Sequence, residues 1–207
     1  MRDEAPKPAQ KHLPADERRA ATVQAVIELA ADRNPADITT AAIAQHMRLT
    51  QGALFRHFPN KEAIWDAVMA YTSEELLARI DAATARAESP LAALEAMFQA
   101  HVDFIVGHPG VPRILFAELQ HDRATPAKTR VLALLEHYRE RLREHARRGI
   151  DQGELRDTLD LDALPVLFVG MIQGLVIQSM LAGDIRRMKR RAAALFALFL
   201  QGIGTRP

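Results

Sequence analysis

Apolar positions recur every three to four residues along almost the whole chain, the spacing of amphipathic helices. Val23, Val26, Ile27 and Ala30 predict a first helix over residues 15–33, ended by Asn34-Pro35. Ile43 and Met47, four apart, predict a short second helix capped by the Thr39 hydroxyl. Arg48-Leu49 make a turn, and Thr50 caps a third helix reaching about Phe58, with Leu54 and Phe58 on its inner side. Asn60 is the N-cap of a fourth, whose Glu62 favours the positive end of the helix dipole. Ile64, Trp65, Val68 and Met69 form its apolar stripe, and it runs to about residue 87.

Punctuation sets the later elements. Ser89-Pro90 and Thr125-Pro126 are caps followed by proline at the first helical position. They predict a fifth helix to residue 106, stopped by Gly107-His108-Pro109-Gly110, and a seventh to about residue 150. Pro112 opens a short sixth helix ending near residue 121. Asp160 and Asp162 start an eighth, which reaches residue 182; Gly183 stops it, and Asp184 opens a ninth to about residue 203. No strand alternation and no internal repeat is visible. The reading is an all-α fold of about nine helices: a flexible tail over residues 1–14, a three-helix DNA-binding unit over 15–60, and a helical effector-binding and dimerisation domain over 61–207.

The eighth helix departs from the amphipathic pattern, because residues 163–183 carry no charge. About 20 apolar residues suffice to span a bilayer, but Gln173 and Gln178 would be costly there. Burial on every side, against the ninth helix, a partner subunit and an internal cavity, explains the segment without a membrane. Gly170 and Gly174, four apart, permit close helix approach. The ninth helix carries a cleaner stripe that includes Leu195, Phe196 and Phe199.

Composition narrows the function. The 207 residues, 48% hydrophobic, are enough for one or two domains with a sizeable core. A formal net charge of +1 requires any nucleic-acid affinity to come from local clustering. The absence of cysteine excludes disulfides, thiolate metal sites and cysteine nucleophiles. The N-terminus has no apolar signal-peptide core, which places the expected compartment in the cytoplasm. His101, His108, His121, His137 and His145 fall in no metal spacing, and no phosphate loop or nucleophile elbow is present, so neither an enzyme nor a cofactor is expected. Lys7, Lys11, Arg18 and Arg19 are either phosphate contacts or a solvated surface. The runs of arginine and lysine at 186–191 and 139–148 read as solvated helix faces.

The chemistry concentrates in residues 38–61. Leu54 and Phe58 root the third helix, leaving Gly52 and Arg56 on its opposite side, Ala53 and His57 on one flank, and Gln51 and Phe55 on the other. A helix so rooted, showing small, amide and basic groups outward, suits the floor of a DNA major groove. Arg56 can pair with guanine and Gln51 with adenine, while Gly52 and Ala53 allow close approach.

This run resembles the DNA-binding signature of TetR-family transcription regulators. The matching features are Thr40, Ile43-Ala44, Thr50, Gly52, the block from Leu54 through Phe55, Arg56 and His57 to Phe58, and Asn60-Lys61. The resemblance implies backbone contacts from His57 and Lys61, to which Thr40 and Arg48 can add. Arg48 stands where glycine is usual, so either it takes a left-handed backbone or the turn differs. Phe55 replaces a common tyrosine and offers a ring without the hydroxyl.

By the same resemblance, the last two helices form a four-helix dimer interface, expected here at Leu167, Gly170, Gly174, Ile177, Leu195, Phe196 and Phe199. Two recognition helices then meet a near-palindromic double-stranded operator. Release by a small, apolar effector is expected. Met97, Phe98, His101, Phe104, Phe116, Tyr138, Phe168, Met171, Ile172 and Gln173 are its candidate lining, although core is the default reading of each such position in a helical apolar stripe. A DNA-binding protein without an effector is the competing reading.

Overall fold

A computed structural model describes residues 14–205. The tail over residues 1–14, with Lys7 and Lys11, lies outside the described residues except for Pro14. The described chain forms α1 (Ala15–Asp32), a 3-10 turn (Pro35–Asp37), α2 (Thr40–His46), α3 (Gln51–Phe55) and α4 (Lys61–Thr84). These are followed by α5 (Pro90–Gly107), α6 (Gly110–Leu119), α7 (Pro126–Asp151), α8 (Ala163–Leu181) and α9 (Arg187–Ile203). One isolated bridge, between Leu155 and Gly204, joins the loop after α7 to the end of α9.

The caps act as their side chains dictate. The oxygens of Thr39, Thr50, Asn60, Ser89 and Thr125 each accept a backbone N–H three residues on. Asp160 accepts from the Asp162 and Ala163 amides at the start of α8, and these two bonds hold its carboxyl below the usual range. At the other ends, α7 and α8 close with Gly153 and Gly183 at positive φ (74° and 68°). In each case the following amide reaches back to a carbonyl five residues earlier, which satisfies an orphan acceptor.

Four boundaries differ from the sequence reading: α3 ends at Phe55 rather than about Phe58, α4 ends at Thr84 rather than about residue 87, and two helix starts move. Helix α6 starts at Gly110 rather than Pro112; Pro112 sits within the first turn, where a missing N–H costs nothing. Helix α9 starts at Arg187 rather than Asp184, because the Asp184 carboxylate folds residues 184–186 into a turn by accepting from the Arg186 amide.

The core of the C-terminal helices is aromatic. Phe98 of α5, Phe168 of α8, and Phe196 and Phe199 of α9 pack with ring centroids 5.2–5.7 Å apart at their nearest contacts. Helix α7 is tied to α4 by paired contacts from Arg141 to Asp81 at 2.7 and 2.8 Å and from Arg130 to Asp66. Arg143 reaches Asp162 at 3.1 Å. Part of the arginine run on α7, expected as a solvated face, therefore serves as inter-element ties. These ties lie near the surface, where each adds little stability.

Helix α8 is long and apolar enough to cross a membrane by length and composition alone. Its burial is one-sided. Leu164, Phe168, Ile172, Leu175, Val176 and Ser179 face the core. Val166, Leu167, Ile177 and Leu181 are exposed, and Leu198 of α9 joins them.

Candidate nucleic-acid interface and effector cavity

The N-terminal site is built from a turn and a root. Helix α2 ends with Arg48 at φ 56°, the left-handed conformation expected of the glycine position. The Arg48 amide bonds to the Gln45 carbonyl at 3.0 Å and the Leu49 amide to the Ala44 carbonyl at 2.8 Å. Those two bonds satisfy the open carbonyls of α2 and offset the strain that a residue with a Cβ carries there. They also fix the angle at which α3 leaves the turn. Leu54 and Phe58, both essentially inaccessible, then anchor the short helix from below.

Above that root, Gln51, Gly52, Phe55 and Arg56 are exposed, and Ala53 and His57 are half-buried flanks. Phe55 leaves 42% of its surface open and is the one aromatic among the exposed large apolar side chains of the described residues. Gly52 has open space where a Cβ would stand, so its use is a thin helix surface rather than a packing need. Thr50 is exposed, with its hydroxyl used as the cap. The Gln51 amide donates to the Thr40 hydroxyl at 2.7 Å, pairing two expected DNA contacts before any DNA arrives. Lys61 is half-buried with its ammonium 5.5 Å from the centre of the Trp65 ring. The ten candidate residues therefore sit on α2, on α3 and its flanks, and at the first turn of α4.

Arg19, for which phosphate contact and solvated surface were both open, is exposed but engaged by the protein. Its guanidinium donates to the His57 carbonyl at 2.6 Å and lies 4.4 Å from the centre of the Phe58 ring. It braces the end of the recognition element instead of standing free for phosphate. On the other side of α1, the Glu28 carboxylate accepts from His46 at 2.9 Å and is held below the usual carboxylate range by that bond.

The second site is a cavity of about 70 Å³ among α4, α5, α6, α7 and α8. His101, Phe104, Phe116, Tyr138, Ile172 and Gln173 line it, as the sequence reading expected. Met97, Phe98 and Phe168 do not; they are spent in the aromatic core. Met171 turns half-buried to another side of α8. Thr72, Leu76, Val111, Pro112 and Leu115 complete much of the wall and were missed. Thr72 was legible in principle: it interrupts the every-fourth-residue stripe Ile64, Val68, Leu76, Ile80 on α4.

Within this apolar wall His101 Nδ1 and the Tyr138 hydroxyl lie 3.0 Å apart. Burial lowers the His101 pKa from 6.5 to about 4, so the ring is neutral at pH 7. The Thr72 hydroxyl is buried with no hydrogen-bond partner among the described residues. A second, open cleft of about 930 Å³ lies between the 3-10 turn, the start of α4 and the α6–α7 connection. Its walls mix polar and apolar surface about evenly, and Trp65 forms part of them rather than lying wholly in the core.

Helix α6 stands between the cavity and α1. Val111, Pro112, Leu115 and Phe116 face the cavity. Gly110 rests on α1 so closely that a Cβ there would fall 2.1 Å from the Ile27 carbonyl oxygen.

The open apolar surface on α8 and α9 includes four of the residues expected at a dimer seam: Leu167, Gly170, Gly174 and Ile177. Leu195 is half-buried. Phe196 and Phe199 are corrected: both are buried within the protomer by the aromatic core, and the exposed apolar residue on α9 is Leu198. Among the described residues, no group of acidic or histidine side chains is placed to hold a metal.

Comparison with known proteins matches residues 23–68 to "Bacterial regulatory proteins, tetR family" and residues 90–195 to "Tetracyclin repressor-like, C-terminal domain". A nucleoid occlusion factor SlmA from Marinobacter nauticus is 27% identical over 172 residues, covering 79% of this chain and 86% of its own. The ketosteroid transcriptional regulator KstR2 of Mycobacterium tuberculosis has a similar structure, with TM-score 0.74 and 21% identity. That likeness covers 91% of this chain and 96% of KstR2. FadR of Bacillus subtilis, solved with stearoyl-CoA, gives TM-score 0.77 at 17% identity, covering 89% and 98%.

Proposed function

This chain belongs to the tetR family of bacterial regulatory proteins, DNA-binding transcriptional regulators rather than enzymes, and from that premise we propose that it is a homodimeric cytoplasmic repressor. It binds a near-palindromic operator and leaves it when a small apolar molecule fills the cavity. The observation that carries the DNA-binding half is the outward row on α3. Gln51, Gly52 and Arg56 stand exposed over a fully buried Leu54 and Phe58, and Arg48 in the left-handed turn presents that row to a groove. In this reading Gln51, Gly52, Ala53 and Arg56 meet base edges. Thr40, Arg48, Thr50, Phe55, His57 and Lys61 meet the sugar-phosphate backbone.

Release is proposed to run through contiguous packing. An effector that enlarges the cavity pushes α6, and α6 bears on the α1 backbone through Gly110. Helix α1 holds the end of the recognition element through Arg19. The effector works only insofar as it binds the displaced state better than the operator-bound one.

The test is selection of bound genomic fragments followed by titration of the best one. Arg56→Ala is expected to cost ~1–3 kcal/mol on that operator and to leave random DNA unchanged. Equal weakening on both would make Arg56 a backbone contact and remove the proposed readout. Two observations favour a second reading, a DNA-binding factor that no small ligand releases. The cavity is far below the ~300–1,000 Å³ of an ordinary ligand site, and the matched relative from Marinobacter nauticus is named a nucleoid occlusion factor. Under that reading the selected fragments are many and dispersed, instead of few and beside promoters.

A further inference from the structure

The proposed effector has so far been described only as small and apolar. The polar groups of the cavity narrow its chemistry, on the assumption that this is where the effector binds. The lining residues include no lysine, arginine, aspartate or glutamate. A charged ligand would lose its hydration there with no counter-charge to replace it, a cost that specific binding does not recover. A wholly apolar ligand has the opposite fault, because four polar side chains line the same space: Thr72, His101, Tyr138 and the more exposed Gln173. His101 spends Nδ1 on Tyr138, which leaves Nε2 of that ring for another partner. The Tyr138 hydroxyl, as donor and acceptor, has capacity beyond its one bond. The Thr72 hydroxyl, 1% exposed, has no partner at all among the described residues. A buried hydroxyl in that condition costs free energy in the protein alone, and a ligand oxygen that met it would recover the cost.

We infer that the cavity among α4, α5, α6, α7 and α8 selects neutral molecules with an apolar body and one hydrogen-bonding oxygen, a ketone, ester or alcohol, seated among Thr72, His101 and Tyr138. The neutral state of His101 at pH 7 agrees with this, since an uncharged ring repels no neutral group and attracts no anion. Room for the apolar body comes from the α6 side, where Leu115 and Phe116 are only half-buried and can turn outward.

The experiment uses the full chain and four bicyclic probes of one shape: 2-acetylnaphthalene, 2-ethylnaphthalene, 2-naphthoate and 2-naphthylmethylammonium. Binding is followed by probe fluorescence, and operator binding is measured by anisotropy on the same preparations. The acetyl compound is expected to bind about tenfold tighter than the ethyl compound, as one net hydrogen bond supplies. The two ions should bind weakest. Thr72→Val and Tyr138→Phe, both close to isosteric, are each expected to cut the ratio of acetyl to ethyl affinity several-fold, while far-UV circular dichroism and the guanidinium midpoint show that each variant keeps its fold. Either ion binding as tightly as the ketone overturns the inference. So does a preference for acetyl over ethyl that survives in both variants, and so does a wild-type protein that binds none of the four. If the operator is still bound in any of those cases, the regulator stands and only the ligand class has failed. If no operator fragment binds, the regulatory reading itself has failed.

Discussion

His101 couples the cavity to the stability of the fold through protons. Its ring has a pKa of 6.5 when free and about 4 when buried against Tyr138 in the folded chain. The folded value is the lower of the two, so the unfolded chain takes up a proton first as pH falls. The contribution of neutral His101 to stability is therefore complete above pH 6.5 and declines between there and about pH 4. Going from pH 7 to pH 5, linkage over this pair of values removes about 2 kcal/mol. The assay is guanidinium unfolding at one fixed protein concentration, at both pH values, for the wild type and for His101→Leu. The variant leaves the Tyr138 hydroxyl without its partner and is less stable throughout, but that penalty does not vary with pH and cancels in the slope. His145 is also depressed by burial and contributes a loss of the same sign, but it is present in both proteins. The expected result is that His101→Leu loses about 2 kcal/mol less than the wild type between pH 7 and 5. If the two proteins lose the same amount, His101 is not held neutral by burial, and its place in the ligand chemistry goes with it.

Two further outcomes follow from the packing. Gly110→Ala puts a methyl group into the α1 backbone at Ile27, which cannot move aside as a side-chain tip would. It should cost ~1–3 kcal/mol in the unfolding midpoint and weaken operator binding as well; a variant as stable as the wild type would mean α6 and α1 are not in rigid contact. Ile177→Asp, on the open face of α8, should give a protomer by light scattering at micromolar concentration with unchanged helix content by circular dichroism; a persisting dimer would place the seam elsewhere.

Local chemistry was readable from the chain, and long-range packing was not, for a reason visible in particular residues. The caps at Thr39, Thr50, Asn60, Ser89 and Thr125 are decided within three residues, and the structure has each of them in use. The left-handed turn at Arg48 was one of two alternatives, fixed by the backbone bonds of residues 44–49. A helical stripe, by contrast, says which side of a helix is apolar without saying what covers it. Phe196 and Phe199 lie in such a stripe, which does not separate seam from core; ring contacts with two aromatic neighbours, Phe98 of α5 and Phe168 of α8, decide for core. On α8 the difficulty is greater, because apolar residues surround the helix and periodicity marks no side. The cavity suffered from the same ambiguity: aromatic residues attracted attention, whereas the informative residue is Thr72, a single hydroxyl inside an aliphatic row.

The bare strip running from Val166 to Leu181, with Leu198 beside it, bears on supply as well as on shape. If the proposed dimer forms through this face, a newly made chain would carry the sticky ridge until a second chain covers it, and would meanwhile be open to chaperones, proteases and clumping. Solitary chains would then be a wasting pool, and dimers able to read DNA would accumulate with the square of the amount synthesised while that pool is dilute. A gene switch built on such a ridge would respond abruptly to how much protein is made.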